Sequence, residues 1–112
     1  MTRKNSLGEF EQMVMLAVLQ LDEEAFGPGI SRLLEERAGR GVSRGALYSS
    51  LDRLERKGFL TWSIASPTSE RGGYRKRLFS VTEAGLEALR EARQAMDALY
   101  QGLDHVFQRG SR

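Results

Sequence analysis

Two groups of residues have types and spacing suited to chemistry. From Arg71 to Arg77 the chain reads Arg-Gly-Gly-Tyr-Arg-Lys-Arg, so Arg71, Arg75, Lys76 and Arg77 crowd a turn that Gly72 and Gly73 keep clear of bulk, with Tyr74 among them. Cations at such a tip neutralise phosphates and release their counterions, a form of polyanion binding that does not depend on base sequence. The second group is Ser43, Arg44, Gly45, Ala46, Tyr48, Ser49, Asp52 and Arg53. Arg44 suits a guanine edge or a phosphate, the hydroxyls of Ser43, Ser49 and Tyr48 suit phosphate oxygens, and Gly45 allows close backbone approach. Each group also has a plainer reading, as a solvated helix face with a half-buried tyrosine and as an edge strand whose charges discourage aggregation.

The surrounding pattern supplies elements to position them. Leu47, Leu51 and Leu54 repeat at helical spacing, so the second group falls on the outer face of a helix that Ser43 caps and Gly58 ends. Before it, Leu7 to Leu21 reads as a helix apolar around its circumference in its second half, which implies burial on more than one side. Phe26-Gly27-Pro28-Gly29 reads as a turn, and Ile30 to Ala38 as a second helix that Gly39-Arg40-Gly41 stops. Leu60, Trp62 and Ile64 alternate with Thr61 and Ser63, and alternation resumes from Arg75 to Val81. The pattern predicts a hairpin whose loop, Pro67 to Tyr74, carries the cations, with Trp62 packing at its base.

Thr82 is placed to cap a last helix running to about Gln108, roughly 40 Å long at the usual rise. Its Leu86, Leu89, Met96, Tyr100, Leu103 and Phe107 keep a near-heptad spacing broken by Arg93. A small domain cannot cover so long a stripe, and a second copy of the chain is the simplest partner. The order predicts a mainly helical winged helix-turn-helix over residues 7–81, preceded by a flexible arm over 1–6, followed by a dimerisation helix over 82–109 and a flexible tail over 110–112. Its third helix would fit a major groove, with the hairpin beside it.

Composition bounds the alternatives. The 112 residues can bury one core, and a net charge of +2 carries less information than the clustering of cations away from Asp22, Glu23, Glu24, Glu35 and Glu36. With no cysteine, disulfides, thiolate nucleophiles and thiolate zinc sites drop out. The run Met13 to Leu21 is too short to span a bilayer and the basic N-terminus lacks a signal peptide's apolar region, so a soluble, cytoplasmic protein without membrane contact is expected. His105 is the single histidine and stands without a ligand cluster, and no nucleophile motif or phosphate loop occurs, so the chain reads as no enzyme and implies no cofactor or metal. A winged helix used purely for protein assembly is the competing reading. It requires an apolar patch on the third helix's outer face, where Ser43, Arg44, Ser49 and Arg53 stand instead.

Gly45-Ala-Leu-Tyr-Ser-Ser-Leu-Asp-Arg-Leu-Glu-Arg-Lys-Gly58 resembles the recognition helix of the PadR family. Arg71-Gly-Gly-Tyr-Arg-Lys-Arg-Leu-Phe-Ser-Val-Thr-Glu-Ala-Gly85 resembles its wing and the start of its last helix, and Leu7-Gly-Glu-Phe-Glu11 and Gly27-Pro-Gly-Ile30 are compatible with its first helix and turn. The resemblance implies a transcriptional regulator, usually a repressor, of the short class that lacks an extra C-terminal helical domain, with palindromic duplex DNA and a second copy of itself as partners. It places Tyr48 and Arg53 on the phosphate backbone, Ser43 to Ala46 near bases, and Arg71 to Lys76 in the wing. The chain departs from the family at Arg44 or Gly45 and at Ser49, where prolines are common, and at Gly72-Gly73-Tyr74, where the wing commonly reads Gly-Arg-Pro. Some short members bind flat aromatic or cationic compounds between the dimer's helices. Here Phe10, Met13, Ala17, Leu89, Met96, Tyr100, Leu103 and Phe107 are the candidates for dimer interface or effector pocket, although such stripes are more often core packing.

Overall fold

The first helix, α1, spans Glu9–Leu21. It comes from a computed structural model that describes residues 7–65 and 76–109. The expected arm, the hairpin loop with Arg71, Gly72, Gly73, Tyr74 and Arg75, and the tail lie outside the described residues. Val14, Met15, Ala17 and Val18 of α1 are buried, whereas Leu16 and Leu19 face out, 50% and 43% exposed. The helix apolar on all sides thus buries one face and leaves the other uncovered.

A 3-10 turn over Asp22–Glu24 leads to α2, Gly27–Ala38. The helix starts three residues earlier than Ile30. Gly27 and Pro28 belong to its first turn, where the missing N–H of proline has no helical partner to lose. Gly39, in the left-handed conformation at φ 64°, closes α2. Helix α3, Arg44–Arg56, is capped by Ser43, whose Oγ accepts from the Ala46 amide at 3.1 Å. Leu47, Leu51 and Leu54 are all buried, so the predicted stripe is the face α3 turns to the core.

Strands β1, Leu60–Ile64, and β2, Arg77–Val81, pair antiparallel with Trp62 opposite Phe79. Along its other edge β2 is tied to the connection before α2, because the Phe79 amide donates to the Ala25 carbonyl at 3.0 Å. Phe79, Leu60 and Phe59 close the core formed by the three helices. This is the winged helix-turn-helix expected from the order of elements.

Helix α4, Glu83–Tyr100, is fastened at its start. Thr82 Oγ1 accepts from the Gly85 amide at 3.0 Å and donates to the Gly58 carbonyl at 2.6 Å. Gly85 is buried so tightly that a Cβ there would lie 2.4 Å from the Phe59 carbonyl oxygen. The single helix expected to reach Gln108 is interrupted. Gln101 turns extended, Gly102 takes φ 85°, and a short α5 follows over Asp104–Arg109. The near-heptad spacing ran across this break because a lone glycine costs a helix only about 1 kcal/mol and so does not mark its end by itself. No helix among the described residues is long and apolar enough to cross a membrane.

Candidate nucleic-acid interface

The N-terminal turn of α3 faces the start of α2 and the start of β2 across an open cleft of about 620 Å³, lined by Phe26, Gly27, Pro28, Arg44, Gly45, Tyr48, Lys76 and Arg77. Three of these side chains are cations, and no acid is among the described residues of the lining. Two aromatic rings hold the cations in place. Lys76 Nζ lies 5.2 Å from the Phe26 ring centre, and the guanidinium carbons of Arg44 and Arg77 lie 6.0 and 5.5 Å from that of Tyr48.

Tyr48 is half-buried with its hydroxyl against Gly27, close enough that a Cβ on Gly27 would sit 2.0 Å from the oxygen. Ring and helix meet there because residue 27 has no side chain. Ser43, Arg44, Gly45, Ala46 and Ser49 are exposed, as their places off the leucine stripe require. A side chain at Gly45 would meet nothing within 4 Å, so that turn is open to a bulky partner. Ser43 has committed an oxygen lone pair to its cap, while its hydroxyl proton remains available.

Arg77 has a role that the sequence reading missed. It stacks over Trp62 and Phe79, at 4.9 and 5.3 Å, as well as Tyr48, and pairs with Asp52 at 3.6 Å. It is the post on which the hairpin base stands against α3. Trp62 does pack at the base of the wing, but against a cation. The signal lay in the alternation of β2, which puts Arg77 on the same side as Phe79.

Arg53, expected at a phosphate, is already engaged inside the protein. Its Nε donates to Glu11 Oε2 at 3.2 Å and one Nη to Ser50 Oγ at 3.3 Å, yet its side chain remains 47% exposed. Lys57 Nζ donates to both oxygens of Glu11 at 3.0 Å, and the Gly8 amide donates to Oε1 at 2.9 Å. Burial pushes the Glu11 carboxyl up, but these donors outweigh it and hold the group below its ordinary range.

The residues expected at a dimer interface or effector pocket do not converge within one copy. Phe10 is half-buried beneath the Arg40 guanidinium, 5.2 Å from the ring centre. Met13 and Ala17 line a groove between α1 and α2 with Leu33 and Leu34. Leu89 and Met96 line another between α1 and α4, with Leu16, Leu19 and Leu86. Tyr100 and Phe107 meet in a tilted ring contact across the helix break, 5.4 Å between ring centres, and like Leu103 they are exposed. Leu99 and Val106, not singled out from the sequence, are exposed there too, Leu99 to 75%. Leu99 lies off the near-heptad series, which is why the spacing missed it. His105 is exposed on α5, and the described residues contain no cluster of metal-ligating side chains.

Known proteins share this architecture over most of the chain. A solved PadR-like transcription factor from Bacteroides fragilis shares 26% identity at a TM-score of 0.68, with 87% of this chain and 88% of that one covered. A PadR-like transcriptional regulator from Bacillus cereus shares 22% identity at a TM-score of 0.70, with coverage of 88% and 91%. PadR of Bacillus subtilis, solved in complex with operator DNA, matches 73% of this chain and 46% of its own at 18% identity and a TM-score of 0.59. Comparison with curated proteins by sequence returns no match. The model of the transcriptional regulator PadR-like family matches residues 15–91, from the middle of α1 through the hairpin into α4. The chain belongs to the PadR-like family of transcriptional regulators.

Proposed function

We propose that this regulator is a cytoplasmic homodimer that represses transcription by binding palindromic operator DNA, with α3 in the major groove and the cationic cleft on the adjoining phosphates. The observation that carries the reading is the cleft itself. Arg44, Lys76 and Arg77 stand around an open mouth at the exposed end of the helix a winged helix uses for recognition. The B. subtilis relative solved with operator DNA supports the same use of the fold. Ser43, Gly45, Ala46 and Ser49 approach base edges or phosphates, and Arg71, Gly72, Gly73, Tyr74 and Arg75 form the wing. The exposed apolar side chains of α1, α4 and α5 form the seam between two copies, and a small aromatic or cationic effector fits between those helices. Two-fold symmetry then sets the recognition helices about 34 Å apart.

The test is a titration of a labelled duplex, selected from a random library, at salt concentrations from about 50 to about 200 mM, alongside sedimentation of the protein alone. Affinity falls steeply with salt for the wild type. For the Arg44→Ala, Lys76→Ala double variant the slope of log K against log salt is shallower by about 2 per subunit, near 0.9 for each phosphate contact removed. A monomer, or an unchanged slope, refutes the reading.

A further inference from the structure

Glu11 is a carboxylate only 7% exposed, whereas the other acids among the described residues lie at the surface or half-buried. A buried charge is costly unless it is paired, and this one is paired across 42 residues of sequence to Arg53 and 46 to Lys57. Both partners are on or just past the C-terminal half of α3, one helical turn apart. Glu11 therefore fixes α3 against α1, at the end of α1 opposite the exposed Leu19.

The guanidinium of Arg53 is a rigid fork of five donors. Glu11 takes the Nε proton and Ser50 one Nη proton. No described residue accepts from the remaining edge, on a side chain that is 47% exposed. Arginine is costly to immobilise, and a partner that holds it beforehand removes that cost from the binding step. The same carboxylate also offsets part of the pull of Arg53 and Lys57 on any nearby polyanion.

We propose that Glu11 is a positioning residue: from α1 it holds Arg53 in the orientation in which its outer edge meets one DNA phosphate, and so sets how sharply α3 separates its cognate duplex from others. This rests on the DNA-binding reading above, and the experiment separates the two. Dissociation constants are measured for the library-selected duplex and for a scrambled one, well below the unfolding midpoint of each protein, for wild type, E11Q, R53A and E11Q/R53A. E11Q keeps the shape and an acceptor for the Gly8 amide. It is expected to weaken binding to the selected duplex about three- to tenfold per subunit, the cost of ordering one long side chain. Binding to the scrambled duplex holds or tightens, and in the R53A background E11Q leaves the ratio unchanged.

A merely structural Glu11 gives a different pattern. The two affinities fall together, or the ratio stays at the wild-type value, or E11Q still moves the ratio without Arg53, and each of these overturns the proposal. Should E11Q not fold, R53K serves instead. It keeps a cation facing Glu11 but lacks the second edge, so the ratio falls by the same factor, and a wild-type ratio in R53K overturns the proposal. Wild type that binds neither duplex removes the DNA-binding reading itself, and this proposal with it.

Discussion

Replacing Gly27 by alanine puts a methyl group 2.0 Å from Tyr48 Oη and 2.7 Å from its Cζ, where ordinary contact begins near 3.4 Å. The ring has to withdraw by more than an ångström, because Gly27 is fixed within the first turn of α2. Withdrawal breaks the stacking of Arg44 and Arg77 on Tyr48, worth about 0.5–1 kcal/mol each in half-exposed surroundings. Alanine recovers up to about 1 kcal/mol of helix propensity. The fold therefore loses about 1 kcal/mol, a drop of roughly 4–8 °C in unfolding midpoint. Duplex binding loses much more, since the hydroxyl leaves the cleft and a hydrogen bond to a charged group is worth about 1.5–3 kcal/mol, roughly ten- to hundredfold per subunit. Thermal unfolding by circular dichroism and duplex titration by fluorescence anisotropy read the two effects separately. Y48F is the companion variant. It keeps the ring and both stacked cations, so its midpoint stays within about 2 °C while its affinity falls by the same factor. Wild-type affinity in G27A, with the midpoint lowered as expected, refutes the placement of Tyr48 at the interface.

Two further perturbations test the scaffold. G85A sets a methyl 2.4 Å from the Phe59 carbonyl oxygen and 2.8 Å from Val81 Cγ1, contacts that no flexible side chain can relieve. The expected loss is about 2 kcal/mol, or roughly 10 °C in midpoint, and an unchanged midpoint shows that α4 is not anchored through this glycine. E11Q is expected to cost about 2 kcal/mol near neutral pH, between the small value of an exposed ion pair and the larger one of a buried pair. Because the folded protein holds the Glu11 carboxyl below its ordinary range, this contribution is complete above the unfolded value of roughly 4.3 and is lost as pH falls from there through the lowered folded value. Urea unfolding of both proteins across that range checks it, and a gap that widens on acidification contradicts the pairing.

Local rules carried most of the fold. Ser43 and Thr82 cap because each hydroxyl lies three residues before an amide that lacks a helical partner, a relation visible in any stretch of sequence. The leucines of α3 and the alternation around Trp62 and Phe79 are periodicities, and they place the core and the hairpin. Pro28 was misread because proline and two glycines signal a turn, while the first turn of a helix tolerates the same residues. The candidate site was less legible because its groups meet through space. Phe26 and Lys76 stand fifty residues apart in the chain and touch only because β2 is hydrogen-bonded to Ala25. Arg53 reads as an outward cation from its helix face, and nothing within a turn of it announces a buried carboxylate on α1.

That carboxylate matters to how the two ends of the protein are connected. Helix α1 carries Glu11 near its first turn and the exposed Leu16 and Leu19 further on, a single thirteen-residue rod without proline or glycine. At one end it grips Arg53 and Lys57 at the C-terminal part of α3. At the other it forms one wall of the groove against α4, where Leu86, Leu89 and Met96 supply the opposite wall. The wall of that groove and the ion pairs to α3 thus belong to one rigid element. Helix α4 is secured at Thr82 and Gly85, packs Ala88 and Leu89 against the core, and exposes its apolar residues from Met96 onward. Under the dimeric reading proposed above, a change at that groove is expected to reach α3 through α1 and its ion pairs.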